Sequence, residues 1–271
     1  MNTVVRNVAN TMKIRPIIEP IARVGLVARG ALYVMVGGLA VLAALGSGGR
    51  TTDPRGAVAE VGRFEAGKPL LILLAFGMTA FAVWRAVQAI EDLDRKGRGL
   101  GALLTRLGFL ISGFLHLGLA ATAAGLAITE RGGTVRSWVA RALVEPLGVY
   151  AVAIAGLIVI GVGFEQFYRA WSMSFEKDLD MKAMSPAMRA WVGVIGRFGY
   201  SARGVTFIIV GWFLIRAAMN VSAREVKDMG QALRVIGTQW HGNVLLGVVA
   251  AGTVAYGLMT FIEARYRRIV R

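Results

Sequence analysis

The sequence predicts an all-α membrane protein, with six transmembrane helices arranged as three parallel two-helix repeats around a pseudo-threefold axis. Three observations predict this class. The 271-residue chain is 56% hydrophobic and only 17% charged, whereas soluble domains carry about 25% charged residues. Six apolar stretches lack charge altogether, and one short motif recurs three times at nearly constant spacing.

The charge-free stretches mark the predicted spans. A bilayer core of about 30 Å requires roughly 20 apolar helical residues, and a backbone in lipid must satisfy its own hydrogen bonds. The first stretch is longer than a signal-peptide core and has two relatives later in the chain, so we interpret it as a retained helix. The predicted spans are residues 30–49, 69–84, 107–129, 146–164, 204–215 and 235–262.

The recurring motif is Arg-x-Gly-x-x-x-(Arg/Ser)-Gly-x-x-(Tyr/His/Phe), and each copy opens an odd-numbered span. The copies lie within residues 21–33, 104–116 and 195–207. Three ordered copies predict three structural repeats. We therefore divide the chain into an N-terminal cytoplasmic segment (1–20) and repeats at 21–94, 95–185 and 186–271.

Glycines in the motif predict close helix packing. Gly30 and Gly37 are seven residues apart and so share one helix face, as do Gly204 and Gly211, while Gly113 holds the corresponding position in the second copy. Small residues allow membrane helices to approach closely, which matters because lipid provides no hydrophobic drive for association.

The distribution of basic residues predicts the orientation. Twenty of the 31 Lys and Arg residues fall on the side that holds both termini, and 11 fall on the other side. The positive-inside rule then places both termini in the cytoplasm. We expect a multi-pass protein of the bacterial plasma membrane whose partners are the bilayer and its anionic headgroups, with other membrane proteins or self-association as further partners.

The net charge of +15 raises nucleic acid as an alternative partner. The charge is spread over short segments between apolar runs, however, so orientation in the membrane explains it and no nucleic acid is expected. The chain contains no cysteine, which excludes disulfides, thiolate nucleophiles and cysteine-ligated metals. We expect no cofactor and no metal.

With these motifs, the chain resembles the bacterial domain-of-unknown-function family 1206. The resemblance rests on the triple Arg-x-Gly-x-x-x-Arg-Gly pattern and on the ending Ala264-Arg-Tyr-Arg267, and it covers nearly the whole chain. It implies three copies of a two-helix membrane unit and assigns no biochemistry. The second repeat departs from the pattern, since Ser112 and His116 replace the expected arginine and aromatic residue.

Equivalent residues of three repeats face one another if they point toward a common axis. One predicted ring contains Arg29, Ser112 and Arg203, and the ring one turn deeper contains Tyr33, His116 and Phe207. A central binding site for an anion or polar solute would use two arginines, a serine, a tyrosine and an imidazole: Arg29, Tyr33, Ser112, His116 and Arg203. The alternative is that the arginines extend to the headgroups and His116 bonds to a neighbouring helix.

The sequence offers little support for a catalytic site. A haem site needs histidines at similar depth, and His116 and His241 lie near opposite faces. A serine protease would need Ser112 and His241 to meet, and their depths disagree again. Glu165 lies four residues before Arg169, a spacing that predicts an ion pair; an unpaired acid there would instead relay protons. No catalytic residue is predicted.

Three functional hypotheses remain open on the sequence alone. The first is a non-enzymatic protein with a structural or accessory role, because every recurring residue has a packing explanation. The second is a channel or transporter for a small anion or polar solute along the pseudo-threefold axis. The third, an intramembrane enzyme, ranks last. Amphipathic stretches at 58–64, 135–144 and 226–236 are expected to lie on the outer surface of the bilayer.

The predicted topology can be tested by labelling, because the chain has no native cysteine. Single cysteines introduced near each terminus should resist a membrane-impermeant maleimide on intact cells and react after permeabilisation. A cysteine in the first outer loop, at Arg55, serves as the control that reacts without permeabilisation. Labelling of the two termini from different faces would contradict six crossings with cytoplasmic ends.

Overall fold

The fold was obtained as a computed structural model, which describes residues 2–91, 93, 97, 99–128, 139, 142–145 and 147–269, with side chains from residue 16 onward. Within these residues the chain is helical and forms no strand. The eight α-helices used below are α1 (Asn2–Ala44), α2 (Pro54–Val61), α3 (Gly67–Glu91), α4 (Leu100–Ile128), α5 (Gly148–Ser172), α6 (Pro186–Met219), α7 (Met229–Gly237) and α8 (Gly242–Tyr266).

Six of the described helices are long and apolar enough to cross a membrane. They are Pro16–Ala44, Gly67–Glu91, Leu100–Ile128, Gly148–Ser172, Pro186–Met219 and Gly242–Tyr266. The six-helix prediction is therefore confirmed at the level of length and composition. The helices extend beyond the charge-free stretches because basic residues at the ends of a span continue the helix and reach toward the interface.

The bounds of two predicted spans need correction. The sixth begins at Gly242 and not at Val235, because residues 229–237 form the separate helix α7 and the chain turns at His241, whose φ is +54°. The fifth lies within a helix of 34 residues, far longer than the 12-residue stretch that its flanking arginines mark in the sequence. Arg203 does not end the helix because its side chain bonds inside the protein.

Each even-numbered span packs along the odd-numbered span of the next repeat. Thus α3 of the first repeat packs on α4 of the second, α5 of the second packs on α6 of the third, and α8 of the third packs on α1 of the first. Within a repeat, α1 also packs on α3 and α6 on α8. The buried side chains of these helices form the core, so each repeat depends on its neighbours for burial.

The contact of α1 with α8 is made by glycines. A methyl group added at Gly30 would lie 3.0 Å from the carbonyl oxygen of Gly257, and one added at Gly37 would lie 2.7 Å from the backbone nitrogen of Val254. The backbones touch because no side chain separates them.

The α5–α6 contact repeats this geometry. An added methyl group at Gly204 would lie 3.0 Å from the carbonyl oxygen of Gly163, and one at Gly211 would lie 2.7 Å from that of Gly156. At the α3–α4 contact, a methyl group added at the corresponding Gly113 would lie 3.2 Å from the carbonyl oxygen of Ala82. All five motif glycines singled out in the sequence thus lie at helix contacts between repeats.

In the first two copies, the first arginine of the motif caps the neighbouring helix. Arg23 donates to the carbonyl oxygens of Ala264 and Arg265 at 2.6 and 2.7 Å. Arg106 donates to the carbonyls of Ala89 and Ile90, the latter at 2.9 Å. The last carbonyls of a helix lack partners within it, so these arginines satisfy the ends of α8 and α3 and join successive repeats.

Helices α2 and α7 pack on the bundle. Their apolar faces, including Val58 and Leu233, are fully buried, so they are part of the core and do not simply rest on lipid as expected from the sequence. The start of α7 touches the start of α2, since an added methyl group at Gly230 would lie 2.5 Å from the backbone of Thr52. Burial raises the pKa of Asp53, which caps α2, and the Asp228 carboxylate raises it further.

The amphipathic stretch 135–144 lies mostly outside the described residues.

Two adjacent glycines of α1 provide a matched test of close packing. Gly37→Ala should lower the free energy of unfolding by about 1–3 kcal/mol, because the added methyl group overpacks the contact with α8. Gly38→Ala is the control: nothing lies within 4 Å of that position, so alanine's better helix propensity should leave stability equal or higher by up to about 1 kcal/mol. Thermal unfolding in detergent measures both, and equal effects would contradict the assigned contact.

Candidate functional site

Two arginines from different repeats meet inside the bundle. Arg29 on α1 is only 3% exposed, and its guanidinium donates a hydrogen bond to the hydroxyl of Tyr256 on α8. Arg203 on α6 donates to the same hydroxyl. Two cationic side chains therefore converge on one phenol oxygen.

Aromatic rings enclose this arginine pair. The Arg29 guanidinium lies 4.9 Å from the ring centroid of Phe81, and the Arg203 guanidinium lies 4.5 Å from that of Tyr256 and 4.7 Å from that of Phe207. Tyr33 packs edge-on against Tyr256 with centroids 5.0 Å apart. Ring faces attract cations, so the walls of the site favour the positive charges they hold.

In the described part of the chain no carboxylate lies in contact with either guanidinium, and the negative charge of Glu165 on α5 acts on Arg203 only from a longer distance. Neither Arg29 nor Arg203 forms an ion pair there. The Nε atom of each is buried and lacks a hydrogen-bond acceptor. The site thus carries excess positive charge and unused N–H donors.

A third cation, Arg85 on α3, lies beside the pair. Its guanidinium stacks 5.0 Å from the ring centroid of Phe81, the ring that Arg29 also contacts, and 4.8 Å from that of Trp84. It donates to the side chain of Gln88 at 3.0 Å. Arg85 adds to the positive character of this region.

The nearby carboxylates are held by other partners. Glu263 accepts a hydrogen bond from the Tyr200 hydroxyl at 2.8 Å and lies 3.8 Å from the Arg267 guanidinium. Asp178, in the loop before α6, lies 3.3 Å from Arg169 and 3.8 Å from Arg267.

A backbone contact at the end of α8 fixes this arrangement, because the backbone nitrogen of Asp180 donates to the carbonyl of Tyr266 at 2.8 Å. Arg267 also covers the ring of Trp84 at 5.1 Å. The end of α8 is thereby tied to α3 and to the loop between the second and third repeats.

The second repeat contributes differently. The His116 ring lies 4.4 Å from the ring of Phe81, and its Nδ1 lies 2.7 Å from the carbonyl oxygen of Ser112 on the same helix. Because a carbonyl can only accept, Nδ1 carries the proton. His116 therefore borders the aromatic wall and does not bond to the arginine pair, and Ser112 meets it through its backbone.

Of the five predicted ring residues, Arg29, Tyr33 and Arg203 meet in the structure. His116 lies next to them, since its side chain and that of Arg29 both contact the aromatic ring of Phe81. Their binding role stays a prediction. His241 lies at the N-terminal end of α8, where its ring packs 4.2 Å from that of Trp240. Glu165 lies 3.8 Å from Arg169, as an i,i+4 pair.

Sequence reasoning missed Tyr256, Tyr200, Phe81 and Arg85. Tyr256 could have been noticed, since tyrosine is enriched at membrane interfaces and this one lies deep within an apolar span. Arg85 also carried a signal, because the end of its span is matched by a second aromatic-Arg-Ala ending at residues 168–170. Tyr200 and Phe81 carry no such signal.

Arg216, near the end of α6, is paired. Its guanidinium lies 3.3 Å from the carboxylate of Glu225, and its side chain is 44% exposed. It therefore provides a control for the two central arginines.

Comparison with known proteins identifies the family. The model of the Domain of Unknown Function (DUF1206) matches residues 24–92, 107–172 and 198–267. The chain belongs to this family. The three matches correspond to a domain repeated three times, each with two of the candidate spans.

A relative of this DUF1206 chain is the uncharacterized protein YxxB of Bacillus subtilis (strain 168), which is 28% identical over 257 residues. These residues amount to 94% of this chain and 93% of the relative. No solved structure matches the chain significantly. Family membership therefore supports the repeat architecture and leaves the activity open.

Removal of the shared acceptor tests the geometry of the site. Tyr256→Phe should lower the free energy of unfolding by about 1–3 kcal/mol, because two buried guanidiniums lose their hydrogen-bond partner. Tyr150→Phe is the control, since Tyr150 is 68% exposed and its variant should unfold like the wild type. Thermal unfolding in the same detergent measures both; a Tyr256→Phe variant as stable as the wild type would show that the arginines do not depend on this hydroxyl.

Proposed function

We propose that this chain is a non-enzymatic membrane protein that binds an anion between its first and third repeats. The single observation that carries the proposal is the meeting of Arg29 and Arg203 at the hydroxyl of Tyr256, with no carboxylate in contact with either guanidinium among the described residues. Guanidinium groups bind carboxylates, phosphates and other oxyanions through charge-assisted hydrogen bonds.

We also propose how the repeats are arranged and oriented in the membrane. The three repeats are parallel and surround a pseudo-threefold axis in the bacterial plasma membrane, with both termini in the cytoplasm. Support comes from the cyclic pairing of even and odd spans, α3 with α4, α5 with α6 and α8 with α1. The excess of basic residues on the side of the termini supports the orientation.

The approximate free energies of desolvation, cation–π contact and hydrogen bonding favour a bound anion over a purely structural arginine pair. Removing an ion from water costs several kcal/mol even after the protein relaxes. A desolvated cation–π contact contributes about 2 kcal/mol at best, and a hydrogen bond to a neutral hydroxyl contributes less than one to a charged acceptor. The aromatic walls offset part of the cost, and an anion at the free N–H edges would offset the remainder.

Packing of the site argues against an open channel. Arg29 and Tyr33 are 3% and 7% exposed, so side chains occupy the space where a continuous aqueous path would run. We therefore propose binding as the function, with transport requiring a rearrangement of the repeats. The structural role favoured by the motif glycines is compatible with this, because the same contacts hold the two arginines in place.

Ligand-induced stabilisation tests the proposal. At constant ionic strength, at least one of chloride, sulfate, phosphate and acetate should raise the unfolding temperature of the purified protein in a saturable manner. Arg29→Gln and Arg203→Gln should each weaken that anion's binding at least tenfold, or about 1.4 kcal/mol. Arg216→Gln, which alters the arginine paired with Glu225, should bind like the wild type.

If a glutamine variant fails to fold, Arg29→Lys and Arg203→Lys retain the charge and should bind more weakly because they lose the planar donor geometry. An absence of saturable stabilisation by any of the four anions would overturn the proposal. Equal binding by the wild type and all arginine variants would also overturn it.

A further inference from the structure

An apolar groove opens on the surface of the bundle between α3 and α4. Its volume is about 560 Å³, within the range of about 300–1,000 Å³ that is typical of small-molecule sites. The helices touch at its floor, where a methyl group added at Gly113 would lie 3.2 Å from the carbonyl oxygen of Ala82. We refer to it as the α3–α4 groove. Apolar side chains of both helices form its walls, among them Val83, Ala86, Leu110 and Phe114.

The α3–α4 groove offers nothing to a polar solute. Thr79 is the one lining residue with a polar side chain, and its hydroxyl already donates to the carbonyl oxygen of Ala75 at 2.8 Å within α3. The wall residues Phe114 and Leu115 are 77% and 58% exposed. Because α3 and α4 are both candidate membrane spans, the groove faces lipid, and an alkyl chain is the group that fits it.

The equivalent face is covered by a helix in the first and third repeats. A methyl group added at Gly77 of α3 would lie 2.3 Å from the Cβ atom of Ala28, and one added at Gly252 of α8 would lie 2.3 Å from that of Ala202. Ile111 of α4 holds the position of these two alanines. It is 49% exposed and lines the groove. The second repeat therefore leaves open a face that the other two close.

An arginine bridges the two helices at one end of the groove. Arg106 lies one turn before the wall residue Leu110 on α4. Its side chain donates to the carbonyl oxygens of Ala89 and Ile90, one turn beyond the wall residue Ala86 on α3. A guanidinium carries five N–H donors, so these two bonds leave the others available to a further acceptor. These donors lie at the level where the head of a molecule in the groove would be.

No carboxylate neutralises Arg106, unlike the corresponding arginine of the first repeat. Arg23 lies 2.6 Å from the carboxylate of Glu19, four residues before it. The position equivalent to Glu19 is Ala102 in the second repeat. In the part of the chain that the structure describes, Arg106 forms no ion pair, and this includes Glu91 at the end of α3. Arginine binds phosphate oxygens through short, often bidentate hydrogen bonds.

We propose that the α3–α4 groove and Arg106 form a binding site for an anionic glycerophospholipid of the leaflet on the side of the chain termini. One acyl chain lies between α3 and α4, and the phosphate accepts hydrogen bonds from Arg106. On that side α3 ends and α4 begins, so one lipid reaches both parts of the site at once. The site is separate from the pair Arg29 and Arg203 and does not depend on anion binding there.

Charge favours a lipid over a second copy of this chain as the occupant. The chain carries a net charge of +15, and the side that holds the termini has the larger share of its basic residues. A second copy packed on the groove would bring like charge to the level of Arg106. An anionic headgroup instead neutralises that arginine, as basic residues at the membrane surface attract anionic lipids.

A plug in the groove tests the seat of the acyl chain. Native mass spectrometry after release from nanodiscs with equal amounts of phosphatidylglycerol and phosphatidylcholine should show at least tenfold preferential retention of phosphatidylglycerol. Val83→Trp, which fills the groove from α3, should lower that retention at least tenfold. Val162→Trp on α5 is the matched control. The two valines are 43% and 39% exposed, and Val162 does not line the groove, so its variant should retain lipid like the wild type.

Substitution of the arginine tests the seat of the phosphate. Arg106→Gln should abolish the preference for phosphatidylglycerol and leave phosphatidylcholine retention unchanged. Arg106→Lys keeps the charge and should keep part of the preference, which provides a second variant if the glutamine protein fails to fold. Glycerol phosphate, which has the head and lacks the chains, should not displace the lipid.

Four results would overturn the inference. Retention unaffected by Val83→Trp would exclude the groove, and a preference unaffected by both Arg106 variants would exclude the arginine. Displacement by glycerol phosphate would show that the phosphate binds without an acyl chain. A dimer that carries no lipid and that Val83→Trp dissociates would assign the groove to a second copy of the chain.

Discussion

Close backbone contact between helices of successive repeats is the constraint on which this fold depends. Lipid is as apolar as the side chains, so burial of leucine provides no drive for helix association in a membrane. Association instead depends on dispersion contacts, which require short distances. Gly30 against Gly257 and Gly204 against Gly163 provide those distances. Since each contact joins two repeats, an isolated repeat would leave its glycine faces unpaired.

Those contacts also position the charged centre. Arg29 immediately precedes Gly30 and Arg203 immediately precedes Gly204. The glycine of each motif is drawn against a neighbouring helix, so the adjacent arginine is held in a packed environment where it cannot extend to the headgroups. The same sequence element thereby packs the helix and places a cation among aromatic rings. Phe81 and Tyr256 reduce the free-energy cost of that cation without cancelling its charge.

The second repeat departs from its neighbours at related positions. Ser112 replaces the inner arginine, His116 replaces the aromatic residue, and Gly108 has no helix against it. An arginine in place of Ser112 would add a further guanidinium to a region that already holds Arg29, Arg203 and Arg85, and would increase like-charge repulsion in a medium of low dielectric constant. Loss of the arginine and loss of the helix contact at Gly108 therefore occur in the same repeat.

The sequence by itself determined the number of spans, the three repeats, the glycines at the helix contacts and the presence of basic residues in the motif. These features are local or periodic, and the bilayer restricts a long apolar segment to a helix. Only the tertiary structure decided which residues meet. Tyr256 lies 53 residues from Arg203 and 227 from Arg29, and its role depends on the way α8 crosses back to α1. The break at His241, the burial of α2 and α7, and the absence of a helix against Gly108 were equally beyond sequence reasoning. Each results from the packing of distant segments and not from the composition of any one of them.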